Sequence, residues 1–433
     1  MSPTTEQDPW QPVLLALPSL TPSLALELIP HGLLIHRLFV QADGKTHDLV
    51  IGPEQPRDHL KKKYVNTIIG RYANRLPVGE FSLEREGAKG TVKPISNESP
   101  TVSLHGGTTG FDSVPWTPLQ PSGSKLFSSA ELATINGDLG ASSLWSYTDK
   151  DGENGFDGTL YTEVLVGLLS PSNPPSIARG DEFLMGSVVI VYRAKLLDQG
   201  KVTPLNITQH WGFNLTASLQ EGADSLSVKS HSLTFKADKV LELDKVGLSA
   251  GKLQDVAGTA HDFRTARTIG SQWPTVENGP GGYDWYYSFP RTPAAKDHRI
   301  EPTRVTPQLN LVKEVLETKL EGEERKVELA SEKSGVKIVF GSNQSGVQFY
   351  TNNFASTTSA RKKIHGGSGA DGEGQGYGVG SAAFLEFHAP LAAWLHPETV
   401  RDGFDTLLAG NGEVYNNWVK ADIYYKTPSA DVQ

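Results

Sequence analysis

Apolar residues along this chain fall in short runs, alternating or β-branched, each closed by Gly, Asn, Asp or Pro. Residues 187–197 (SVVIVYRAKLL), 336–340, 347–351 and 382–388 read as strands, and 226–237 alternates after one slip. Strand succeeding strand at short spacing predicts a sandwich or barrel. Helical periodicity is scarce. Its best instance is 310–320, with Leu311, Val312, Val315, Leu316 and Leu320, where Thr and Val leave a strand reading open. Residues 118–154, 170–180 and 360–380 read as loops, the last with eight glycines in GGSGADGEGQGYGVG. With no fixed repeat and no shift in composition, the expectation is one all-β domain over 1–433 with loop insertions near 118–180 and 360–380. Two packed domains split near 170–180 are the alternative.

Composition narrows the function. The 433 residues are 37% hydrophobic, enough for a large core, and the net charge is −9. Beyond Lys61-Lys62-Lys63 no basic run stands out, so neither a nucleic-acid nor an anionic-membrane partner is expected. Cysteine is absent, which removes disulfides, thiolate nucleophiles and Cys-ligated metals. The N-terminal residues lack a basic n-region, and their apolar run at 13–17 ends at Pro18. A cytoplasmic protein is the expectation. Asn97, Asn206, Asn214 and Asn343 stand in Asn-x-Ser/Thr sequons, and a glycan at Asn206 or Asn214 would fall beside the polar residues described next.

Five segments carry groups suited to chemistry. Residues 205–215 (LNITQHWGFNL), read as a strand, put Leu205, Ile207, Gln209, Trp211 and Phe213 on one face and Asn206, Thr208, His210, Gly212 and Asn214 on the other. That second face reads either as a polar groove around a proton-transferring His210 or as a hydrogen-bonded structural histidine. In 382–390 (AAFLEFHAP), Glu386 shares a face with Phe384 and His388, while Leu385 and Phe387 face the core. Partial burial raises a carboxylate's pKa toward that of a useful base, and a structural ion pair would need the same residue type. His105 precedes Gly106 and Gly107, which permit a tight path that projects the imidazole into a pocket. Arg71 and Arg75 of GRYANRLPVG offer planar donor forks. Asp284 lies among aromatics in GGYDWYYSF, as sugar sites require, or is a turn Asp before a core strand.

In order along the chain these give Gly-Arg-x-Ala-Asn-Arg at 70–75, His-Gly-Gly-x-x-Gly-Phe-Asp at 105–112, and Asn-x-Thr-x-His-x-x-Phe-Asn-Leu at 206–215. Gly-Tyr-Asp at 282–284, Gly-Val-Gln-x-Tyr-Thr-x-Asn at 346–353 and Leu385-Glu386 follow. The set resembles the aldose 1-epimerase (galactose mutarotase) family. The resemblance implies a large antiparallel β-supersandwich with few short helices, and an isomerase that interconverts the anomers of free hexoses without cofactor or metal. It places the general base on Glu386 and the general acid on His210. Sugar contacts fall on Arg75, His105 and Asp284, with Asn74 and Gln348 in matching motifs, Gln348 at the edge of the site. His388, Trp211 and Trp285 depart from the family's usual residues, which bears on sugar preference. The alternatives are a hexose-6-phosphate 1-epimerase using Arg71, Arg75 and Arg361-Lys362-Lys363, a non-catalytic sugar-binding protein of the same fold, and a glycoside hydrolase or lyase that pairs Asp284 with Glu386.

Overall fold

The computed structural model describes residues 8–171, 182–275, 281–290 and 297–427. The valine-rich run lies in the strand Glu182–Leu196, the spine of a ten-stranded antiparallel sheet. On one side it pairs with Leu160–Leu169, then Ala141–Asp149 and Thr117–Leu119. On the other it pairs with Val414–Lys426, then Val336–Ser342, Val327–Ala330, Ser232–Phe235 and Arg267–Thr268. Arg299–Ile300 pairs with Val414–Lys426 off this path. The second sheet has six strands, in the order Gly212–Phe213, Ala383–His388, Gly346–Tyr350, Asp284–Ser288, Lys239–Leu243 and Ser249–Asp255.

The two sheets share one core. Phe340 of the large sheet lies with its ring 5.8 Å from Trp211, 5.4 Å from Phe213 and 5.5 Å from Phe387 of the small one. Strand alternation makes this possible: Leu385 and Phe387 enter the core, which leaves Phe384 and Glu386 facing the other way. A four-stranded N-terminal sheet, Val13–Ala16 to Lys45–Asp48, adds Leu26, Leu28, Leu38 and Val40 to the same cluster.

The architecture is therefore all-β and antiparallel, with two α-helices among the described residues, Ser129–Asp138 and Leu311–Glu317. The second lies inside the segment with helical periodicity. Three local expectations are corrected, and the glycine-rich loop is found as expected. Residues 118–154 are not a loop: they hold the first helix, closed by a Ser128/Glu131 capping box, and the strand Ala141–Asp149. In 226–237 only Ser232–Phe235 is strand, and Leu226 and Val228 lie in 3₁₀ turns. The 205–215 strand is interrupted into Thr208–Gln209 and Gly212–Phe213, and both of its faces are buried. The glycine-rich 360–380 segment is irregular but anchored: Lys362 is fully buried, and its Nζ donates to Asp48 Oδ2 and to the carbonyls of His36 and Val50 at 2.6–2.8 Å. The 170–180 segment lies from residue 172 outside the described residues. No described helix is long and apolar enough to cross a membrane.

Candidate active site

Glu386 sits mid-strand in Ala383–His388, opposite Gln348 in the neighbouring strand. On the other side Gly212 pairs with Phe384. A Cβ at Gly212 would strike the Phe384 ring, so glycine lets that ring lie flat across the strand. His210 is fixed between the two short strands: its N–H donates to Thr67 O and its carbonyl accepts from Asn66 N–H. Its ring stands 4.8 Å from Phe384 and edge-on to His105 at 5.1 Å. Its Nε2 lies 3.2 Å from Glu386 Oε1.

His105 enters from the turn after Val102–Leu104, with left-handed backbone at His105, Gly106 and Gly107 (φ 55°, 84° and 97°). A side chain at Gly106 would run into the Gly70 carbonyl, so this turn demands glycine. Asn74 N–H donates to His105 Nδ1 at 3.2 Å, and His105 N–H donates to Asn74 O at 3.1 Å. The adjacent Arg75 forks onto both oxygens of Glu98 at 2.8 Å, and its Nη1 lies 3.6 Å from Asp284 Oδ2. Gln348 Nε2 donates to Asp284 Oδ1 at 2.7 Å.

A cavity of about 300 Å³ opens over these groups. Asn74, Arg75, His105, His210, Asp284 and Glu386 all line it, so six of the seven residues singled out in the sequence converge there. The seventh, Gln348, is buried beside Asp284 and does not line the cavity; it orients that carboxylate. Arg71 is not in the site either. It is buried, with its Nε donating to Asp149 Oδ2 at 2.7 Å. Lys362 is likewise committed to Asp48. Asn206 and Asn214 are fully buried and donate to the carbonyls of Ala389 and Ser381, away from the cavity. The polar face of 205–215 thus contributes only His210 to the cavity, while Asn206 and Asn214 satisfy backbone carbonyls. Tyr64, Glu98 and Tyr350 also line the cavity and were not predicted. Tyr350 stands inside the 346–353 motif, whereas Tyr64 and Glu98 carry no local signal.

Electrostatics change the expected protonation. Burial pushes Glu386 well above the usual carboxylate range, with the Asp284 charge adding to the rise and Arg75 opposing it. Burial pulls His210 down to about 3, so the imidazole rests neutral in spite of its polar sequence neighbours. His105 is also held well below its ordinary value, by burial first and then by His210 and Arg75. The two shifts oppose each other: the carboxyl is biased toward its protonated form and the imidazole toward its neutral one.

His105, His210 and Glu386 present ligand atoms within 4.8 Å of one another, close enough to suggest a metal. The His105 tautomer argues otherwise. A backbone N–H needs a lone pair on Nδ1, so the neutral ring carries its proton on Nε2, a donor and not a ligand. The set fits hydroxyl recognition better.

Comparison with known proteins agrees with the fold. The family model for aldose 1-epimerase matches residues 185–383. A galactose mutarotase from Bos taurus is 28% identical over 405 residues, 92% of each chain. One from Mus musculus is 31% identical over 250 residues, 57% of this chain and 60% of its own. Among solved structures, a GalM/aldose epimerase homologue from C. elegans superposes with a TM-score of 0.65 at 19% identity, covering 96% of this chain and 99% of its own. Over residues 185–383 the chain is thus similar to the aldose 1-epimerase family, and its fold is that of the solved aldose epimerase homologue.

Proposed function

We propose that this protein is an aldose 1-epimerase, an isomerase that interconverts the α and β anomers of a free hexose, with Glu386 as base and His210 as acid. The observation that carries the reading is the direct contact between the two groups in the cavity. Base and acid on opposite sides of the sugar are not needed. The hydroxyl O1 and the ring oxygen O5 are bonded to the same carbon, so adjacent groups reach both.

The chemistry balances on one proton. Glu386 as carboxylate takes the proton of O1 while His210 as imidazolium gives one to O5. The C1–O5 bond breaks and C1 becomes an aldehyde. Rotation about C1–C2 presents the other face, and the reverse transfers close the ring as the opposite anomer. Burial favours the neutral pair, the distribution reached when the ring is open, over the charged pair that opens it. The intermediate is thereby stabilised relative to the closed sugar, and each transfer is a positioned proton step of roughly 10²–10⁴-fold effect. His105 Nε2–H, Arg75, Asn74 and Asp284 supply hydroxyl contacts, with Gln348 orienting Asp284. Glucose and galactose are the substrates to try first.

The burial of the Asn206 and Asn214 sequon side chains, which leaves no room for a glycan at either, supports a cytoplasmic setting. The test of function is polarimetry. Optical rotation of freshly dissolved α-glucose or α-galactose should decay faster with EDTA-treated protein than in buffer, and decay at the buffer rate for every aldose tried refutes the activity.

A further inference from the structure

Behind the acid–base pair lies a group of buried polar atoms. The register that sets Gly212 opposite Phe384 continues along the two segments: Leu385 N–H donates to Trp211 O, His210 meets Glu386, and Thr208 comes opposite His388. Leu205, Ile207, Trp211, Leu385 and Phe387 enter the core, so Thr208, His210, Glu386 and His388 share the other face as a block of four. Of these only His210 and Glu386 line the cavity. Each of the four keeps one buried atom without a hydrogen-bond partner among the described residues: Thr208 Oγ1, His210 Nδ1, Glu386 Oε2 and His388 Nε2. Unpaired polar atoms gathered in one buried place are costly, and an internal water typically satisfies about three of them.

His388 is fixed in one tautomer. Its Nδ1 lies 2.7 Å from Ala389 O, and a carbonyl only accepts, so the neutral ring carries its proton on Nδ1 and a lone pair on Nε2. Asn206 holds the same peptide: its Nδ2 donates to Ala389 O at 3.1 Å and its Oδ1 accepts from Ala389 N–H at 3.0 Å. The Tyr286 ring stacks on the imidazole at 5.3 Å, and its Oη donates to His388 O at 3.1 Å. Burial holds His388 down to about 4, against the Ala389 carbonyl, so the ring is neutral at neutral pH. A fixed acceptor thus stands two residues from the Glu386 carboxyl group, with no direct hydrogen bond between them.

We propose that Thr208 Oγ1, Glu386 Oε2 and His388 Nε2 hold one internal water, and that His388 is a positioning residue that sets the proton affinity of Glu386 through it. The water gives a hydrogen to His388 Nε2, which turns its lone pair toward Glu386 Oε2 to accept the carboxyl proton. The protonated form of Glu386 is favoured. The other titratable groups facing Glu386 are His210, His105, Arg75, Asp284 and Tyr350, and Lys62, Lys63 and Glu98 also line the cavity. None of them is replaced in the test. The effect on turnover rests on the mutarotase reading; the water site does not.

Two measurements decide without turnover. A crystal structure of the wild-type protein should show an ordered oxygen within hydrogen-bond distance of all three atoms. No ordered oxygen there overturns the site. The same water should be lost in Thr208→Val, which removes the hydroxyl with little change of shape, and its retention unmoved also overturns the three-atom site. The infrared C=O stretch of protonated Glu386, assigned by its loss in Glu386→Gln, gives the titration midpoint. In His388→Gln an amide N–H donates to the water and turns it round to favour the carboxylate. The midpoint, and with it the alkaline limb of kcat/KM, should fall by about one pH unit, a tenfold change in proton affinity. A midpoint unchanged or raised overturns the role of His388. Silence on every sugar with the infrared midpoint lowered as stated supports the water site and overturns the mutarotase reading alone.

Discussion

His210 Nε2 and Glu386 Oε1 lie 3.2 Å apart with both side chains shielded from water, so the two groups titrate as one pair. In the proposed mechanism the single-proton form is the active one. It is bounded below by His210, at about 3, and above by Glu386, raised well beyond the usual carboxylate range. The kcat/KM profile of the free enzyme is therefore expected to be a bell whose alkaline limb belongs to the carboxyl group and whose acid limb belongs to the imidazole, the reverse of their ordinary order. A pH series of initial rates checks this; an acid limb near 4 to 5 with an alkaline limb near 6 to 7, about the ordinary values, would contradict it.

The charges on either side of Glu386 act in opposite directions. Arg75 lowers its pKa and Asp284 raises it. Arg75→Met should move the alkaline limb to higher pH and Asp284→Asn should move it to lower pH. Both changes should raise KM, since both residues face the cavity. The same pH series on the two variants decides the point, and shifts in the same direction would refute the assignment.

Stability carries the same signature. A carboxyl group whose pKa is raised on folding contributes stability fully below its unfolded value, about 4.3, and loses it as pH rises through the folded value. Glu386→Gln cannot ionise and keeps that contribution. Its Tm at pH 7 to 8 should exceed that of wild type, and the gap should close toward pH 4. His210 has the opposite sign, its contribution being lost as pH falls toward about 3. Thermal denaturation at stepped pH measures both.

Lys362 and Asp48, neither exposed, tie the glycine-rich segment to the N-terminal sheet. Lys362→Met leaves buried Asp48 with only Arg37, 3.6 Å away, as a cationic partner, and should cost about 1–3 kcal/mol, less than the loss of a sole partner. Adding Asp48→Asn should recover part of the loss. Because Ser359, Ala360 and Tyr377 of this segment line the cavity, KM should rise more than kcat falls. Denaturant titration and steady-state kinetics on the single and double variants provide the check.

The convergence of Glu386, His210, His105, Arg75, Asn74 and Asp284 was legible through the ordered motifs that resemble the aldose 1-epimerase family, to which local chemistry added a carboxylate among phenylalanines, a histidine before two glycines and an Asp among aromatics. Gln348 belongs to the same constellation, yet its position behind Asp284 depends on strand register, which no local pattern carries. The two faces of 205–215 misled for a related reason. Alternation identifies two faces, but when other elements cover both sides of a strand the polar face is buried structure and not a groove. Within 118–154, abundant Ser, Gly and Asp masked Leu132, Ile135 and Leu139, although the Ser128-x-x-Glu131 cap was present in the sequence. Glu98 was invisible because its role comes from a tertiary contact with Arg75.

The most direct test of the account is the turnover of Glu386→Gln. The variant should fold, should still bind galactose by calorimetry, and should interconvert α-galactose with kcat at least about a hundredfold below wild type in metal-free buffer, the loss expected of a positioned general base. A folded, galactose-binding Glu386→Gln protein that keeps more than about a tenth of wild-type kcat would contradict the account, since a general base of that effect cannot be removed so cheaply.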